Sequence, residues 1–161
     1  MGLFKRTAAC LVGMALLFST AAAETTLHFT FAGDCTLGSE EAKRKQATSF
    51  DSVITEKGYD WPFANMQELF QNDDLTVVNL EGVLSDSNRN ENKDKTYRFR
   101  GPTAFVDILT RSGIEAVNLA NNHTQDFGKQ GYTATQETLA AAGVGYFGSR
   151  SVYIFEKDGI K

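Results

Sequence analysis

Val117-Asn118-Leu119-Ala120-Asn121-Asn122-His123-Thr124-Gln125-Asp126-Phe127-Gly128 is the stretch whose reading decides the fold. A largely apolar run stops abruptly at two asparagines and a histidine. A carboxylate and a glycine follow, and a helix-like segment begins after them. The pattern predicts a buried strand that delivers amide, imidazole and carboxylate groups at its C-terminal end. In open α/β sheets that edge is where ligands sit. One such strand end is a weak signal, but two others resemble it. Phe31-Ala32-Gly33-Asp34 and Val77-Val78-Asn79-Leu80-Glu81-Gly82 also run from apolar residues into polar ones.

Working outward, residues 26–32 alternate and are rich in strand formers, so they predict a first strand. Residues 75–80 predict a second and residues 114–119 a third. Shorter strands are expected at 144–147 and 152–155. Asp158-Gly159 reads as a hairpin turn. Helices are expected over 59–70, between Gly101-Pro102 and Ser112-Gly113, and over 132–142, where Gly143 is a C-terminal stop. Residues 49–57 read as a short amphipathic turn, and 85–97 as a long polar loop. Helices interleaved with strands give an α/β architecture.

The N-terminus reads differently. Lys5 and Arg6 precede an apolar run, and Ala21-Ala22-Ala23 supplies small residues before Glu24. Residues 1–23 are expected to be a secretory signal peptide, leaving 24–161 as one domain. The alternative is an uncleaved segment that holds the chain at a membrane. The apolar run is shorter than the about 20 residues of a bilayer span. The chain has 16 basic and 20 acidic residues, a formal charge of −4. Removal of Lys5 and Arg6 makes it more acidic still. This excludes a basic nucleic-acid surface. Of the two cysteines only Cys35 follows the leader, so no internal disulfide forms and the core must stabilise the fold.

The polar strand ends carry the candidate chemistry. Carboxylates and amide carbonyls suit hard divalent cations, and imidazole suits Zn or Fe or proton exchange. Asp34 can face a ligand or cap the turn that follows it. Glu81 can do the same, and Asn79 shares its strand parity. Arg98 and Arg100 read equally as anion contacts and as solvated arginines. Trp61 reads as core or rim packing, or as lining for a polymer groove. His28 reads as a sheet-edge histidine.

Gly33-Asp34-Cys35-Thr36-Leu37-Gly38, Asn79-Leu80-Glu81-Gly82 and residues 121–131 together resemble the bacterial capsule synthesis family of the poly-gamma-glutamate biosynthesis type. That family is a branch of the calcineurin-like metallophosphatases. The resemblance covers almost all of the chain after residue 25. It implies the N-terminal part of a layered metallophosphatase-like α/β sandwich, truncated at the hairpin that opens near Val152. It implies Asp34, Glu81 and Asn122 as ligands of a divalent metal such as Mn, Zn or Fe. His123 would orient substrate or act as an acid, with Asp126 supporting it. The implied function is that of an exported capsule or poly-gamma-glutamate biosynthesis protein. It would carry a metal-dependent hydrolase-like site for an anionic cell-envelope polymer or phosphoester. The alternatives are a non-catalytic capsule-assembly or polymer-binding component and an inactive fragment. Thr36 stands where the superfamily pattern has a histidine.

Overall fold

The computed structural model describes residues 25–161, so the expected signal peptide lies outside the described residues. Chain order runs β1 (Phe29–Cys35), β2 (Ser39–Glu40), α1 (Phe50–Lys57), α2 (Gln67–Asn72), β3 (Leu75–Leu80), β4 (Val83–Leu84), β5 (Phe99–Gly101), α3 (Val106–Ser112), β6 (Ala116–Asn118), α4 (Gly128–Ala141) and β7 (Gly145–Phe147). Single 3-10 turns precede α1 and α3, at Glu41–Lys43 and Thr103–Phe105.

The main sheet has the order β1-β3-β6-β7 and every pair in it is parallel. Such a sheet needs cover on both faces, and alternation along its strands sorts the side chains accordingly. Val78, Leu80 and Val117 join Ile54, Phe70, Ile108, Leu109 and Leu139 in the large core beneath the helices. Leu75, Val77 and Ala116 take the other face with Phe147, Tyr153 and Phe155. Ile108 and Leu109 are fully buried, and a side chain like theirs contributes about 1.5–3 kcal/mol through burial. This parallel sheet with flanking helices is the α/β architecture read from the sequence.

The helix stops also match. Gly113 ends α3 in the left-handed conformation, its N–H bonded to the Leu109 carbonyl. Ser49 caps α1 by accepting from the Ser52 N–H, so the expected turn is a full helix.

Three expectations are corrected. Residues 59–66 are successive turns rather than helix, with Ala64 N bonding Trp61 O and Met66 N bonding Phe63 O. Pro62 removes a donor there. Within this segment Phe70 is fully buried, while Met66 and Leu69 are exposed. Residues 152–155 form no strand. They alternate, with Tyr153 and Phe155 packed and Val152 and Ile154 exposed, but have no ladder partner. The turn beyond them does form. Lys157 bridges Ile160, and Asp158 and Gly159 both take positive φ, as a two-residue hairpin turn requires.

The third correction is a second sheet, β2-β5-β4, that the sequence reading lacks. Ser39 and Glu40 pair antiparallel to Arg100 and Phe99, while Val83 and Leu84 run parallel to Arg100 and Gly101. The close crossing is specified by glycine. A Cβ on Gly101 would lie 2.0 Å from the Leu37 carbonyl oxygen.

Candidate functional site

Parallel pairing brings the strand ends to one edge. Asp34 lies opposite Asn79, and Asn79 opposite Asn118. A β-bulge between Ala32 and Asp34 resets the register so that Asp34, not Gly33, meets Asn79. The side chains form a row. Asn79 Nδ2 donates to Asp34 Oδ1 at 2.6 Å. Asn79 Oδ1 accepts from Asn118 Nδ2 at 2.9 Å and from Asn121 Nδ2 at 3.1 Å.

Asn121 is the junction. Its Nδ2 also donates to the Leu80 carbonyl at 2.9 Å, and its Oδ1 accepts from the His123 N–H at 3.0 Å. Thr124 closes the turn by donating from Oγ1 to the Leu119 carbonyl at 2.6 Å.

Beyond the junction the site becomes ionic. His123 Nδ1 meets Asp126 Oδ2 at 2.8 Å. A carboxylate oxygen accepts, so Nδ1 carries the hydrogen of this contact. The imidazole packs against Phe99, with centroids 4.7 Å apart. Asp126 is fully buried. It also accepts from Phe99 N at 2.8 Å and pairs with Lys95 Nζ at 2.7 Å. Asp126 does not cap α4, because its oxygens are engaged by these donors. Lys95 Nζ reaches the Asn122 carbonyl as well, and Asn92 N donates to the Asp126 carbonyl at 2.8 Å. The polar loop therefore lies against the motif.

Each predicted residue can now be placed. Asp34, His123 and Asp126 belong to one continuous hydrogen-bonded chain that runs through Asn79 and Asn121. Glu81 sits at the same edge, where its N–H bonds the Cys35 carbonyl at 3.0 Å. Asn122 is exposed and meets Lys95 through its backbone oxygen. Asn118, Asn121 and Lys95 were not singled out as site residues. Asn118 and Asn121 stood inside the quoted stretch. A buried carboxylate demands a counter-charge, which is the one hint toward a lysine on the polar loop.

Both arginines are engaged by carboxylates of the chain itself rather than solvated. Arg98 pairs with Glu91 and Glu40. Arg100 is buried, grips Glu41 with two bonds of 3.0 Å, donates to Ser85 O and lies over the Phe127 ring. Burial pushes the Cys35 thiol up to about 12, so this neighbour of Asp34 is no thiolate nucleophile. Trp61 is half exposed and His28 is exposed.

The amide oxygens of Asn79, Asn118 and Asn121 are all engaged within the row or its turn. Among the described residues, the second Asp34 oxygen, the Glu81 carboxylate, the Asn122 amide and His123 Nε2 have no hydrogen-bond partner. This set is rich in oxygen and suits a hard divalent cation. It is not a closed cage, since among the described residues no three His, Cys, Asp or Glu side chains gather as a metal-holding group.

Residues 28–154 match the family described as bacterial capsule synthesis protein PGA_cap. The chain belongs to that family. It is 26% identical over 128 residues to the PGA biosynthesis protein CapA of Bacillus subtilis, covering 76% of this chain and 31% of that protein. It is 26% identical over 99 residues to the capsule biosynthesis protein CapA of Bacillus anthracis, covering 60% and 24% respectively. A probable polyglutamine synthesis accessory protein of Mycobacterium tuberculosis is 34% identical over 87 residues, covering 52% and 22%. The matched regions thus span about a third or less of these relatives' lengths.

Proposed function

We propose that the C-terminal edge of the parallel sheet is this chain's contribution to a metal-dependent hydrolase-like site. It would act on an anionic cell-envelope polymer or phosphoester in capsule or poly-gamma-glutamate biosynthesis. One observation carries the reading. The asparagine row is satisfied internally, whereas Asp34, Glu81, Asn122 and His123 keep ligating atoms without partners. Asp34, Glu81 and Asn122 would hold a divalent ion such as Mn, Zn or Fe. Such an ion supplies Lewis-acid polarisation and a more acidic bound water.

The chain's own residues supply the rest. Asp126 fixes the His123 ring and tautomer, so that Nε2 can accept a proton or, once protonated, give one to a leaving oxygen. Lys95 and the Phe99 N–H hold Asp126 in place. Asn121 ties this pair to the strand that carries Asn79.

Calorimetric titration of Mn into the full chain tests the metal reading. The parent chain is expected to bind, and Asp34→Asn to bind at least about tenfold more weakly. A parent chain that takes up neither Mn nor Zn sinks it. Thr36 in place of the superfamily histidine, and an Asp34 oxygen already held by Asn79, favour a second reading. In that reading the chain is a non-catalytic polymer-binding component of the capsule machinery. Polymer binding that persists without turnover in metal-loaded protein supports it. Residues 1–23 are proposed as a cleaved export leader, and N-terminal sequencing of exported protein is expected to begin at Glu24.

A further inference from the structure

β1 is an edge strand of the main sheet, and its outer side meets no other strand among the described residues. On the inner side the His28 carbonyl accepts from the Asp74 N–H. Backbone groups alternate between the two sides of a strand, so the N–H and C=O of Phe29 and Phe31 point to the open edge. The devices that usually blunt such an edge are missing, since Phe29-Thr30-Phe31-Ala32 holds no charge and no proline. We propose that β1 is a homodimer seam, where a second copy of this chain pairs antiparallel to it through residues 28–32. The seam goes beyond the proposed function and does not rest on it.

The strand is complementary to itself. A two-fold axis through Thr30 sets Phe29 of each copy opposite Phe31 of the other. Both residues carry outward backbone groups, so each such pair can exchange two N–H···O bonds. Their rings share one face by strand parity, and cross-strand aromatic pairs stabilise a ladder. A register centred on Phe31 would instead set Phe29 opposite Gly33, which has no side chain and stands in the β-bulge. In the chosen register His28 falls opposite Ala32, so no like charges meet, and Asp34 stays outside the seam. The surrounding surface is apolar as well. Phe29, Phe31, Val152 and Ile154 are 47%, 73%, 84% and 70% exposed. Phe31 and Val152 line one groove of about 320 Å³ with Tyr153 and Phe155, and Phe29 meets the Phe155 ring edge to face at 5.7 Å. These exposed side chains form a patch of roughly 500 Å² per copy, the area per partner at which specific interfaces begin. A second copy brings an equal patch and an equal open edge, and a two-fold interface closes on itself without leaving either exposed.

Sedimentation velocity of the full chain over a concentration series tests the seam, and a reversible dimer is expected. Phe31→Lys brings two ammonium groups beside the axis and is expected to weaken the dimer at least about tenfold. Phe31 is exposed, so the variant keeps its fold. Phe31→Pro removes an outward donor while sparing the ladder to β3, and it should weaken the dimer too. Hydrogen exchange locates the contact. The Phe29 and Phe31 amides should exchange more slowly as concentration rises, and the Phe31→Lys chain should lose that protection at Phe29. A chain that stays monomeric throughout the series would overturn the seam. So would a dimer that is equally tight in both Phe31 variants, or one in which both amides still exchange fast.

Discussion

Asn79 and Asp126 are both hubs that receive three polar contacts, yet they hold their neighbours in different ways. Asn79 is half-buried and joins Asp34, Asn118 and Asn121 through neutral amides. Asp126 is fully buried and joins Lys95, His123 and the Phe99 N–H through a carboxylate. Water can replace a partner lost at the first hub. At the second, a lost partner leaves a charge or a donor stranded. The ionic end should therefore set the stability of the site, and the amide end should tolerate change and carry ligand chemistry.

The strongest way to break this contrast is Asp126→Ala, which leaves the Phe99 N–H and His123 Nδ1 without their acceptor and Lys95 with only the Asn122 carbonyl. Urea unfolding should show a loss of about 3–5 kcal/mol, and a loss below about 1 kcal/mol would make the two hubs equivalent. Asn121→Ala, at the junction, removes neutral bonds from both sides and should cost about 1–3 kcal/mol. It should also disturb the His123 ring signals, because the turn that holds them is anchored through Asn121 Oδ1. Asp34→Asn should change stability by no more than about 0.5 kcal/mol, since Asp34 is exposed. A larger loss would assign Asp34 to the scaffold rather than to ligand binding.

The smallest effect concerns pH and lies away from both hubs. The Thr103 hydroxyl and N–H beside Asp86 hold its carboxyl below the ordinary value. A depressed folded value means that Asp86 stabilises above the unfolded carboxylate range. That contribution disappears as pH falls through the folded value. Asp86→Ala should lower stability slightly at neutral pH and flatten the acid limb, the difference from the parent vanishing below the folded value, whereas the Asp126 variant should lose several times more at neutral pH.

The main sheet was legible because its strands carry their own signals. Residues 75–80 are apolar, bounded and long enough to show a period, and the strand at 116–118 ends in the motif. The second sheet was not legible. Ser39-Glu40 and Phe99-Arg100-Gly101 are too short to show alternation, and their pairing depends on a backbone crossing at Gly38 and Gly101. The site divides in the same way. The spacing of His123 and Asp126 was visible as a local pattern. Asn121 and Asn122 cannot be told apart by residue type. The turn closed by Thr124 decides which amide reaches Asn79. Lys95 was hidden because its role exists only after a loop distant in sequence folds over the motif.

That separation has a temporal consequence. Lys95 precedes Asp126 by 31 positions. At common rates of synthesis a ribosome needs roughly two to six seconds to cover that interval. For that time the polar loop has no anchor, and β5, which follows it, lacks the acceptor for its first N–H. The loop can settle only after the chain beyond it has emerged, so the middle of the sequence waits on a residue made later. A released fragment ending before residue 126 should present residues 86–98 to proteases, and one that includes α4 should shield them.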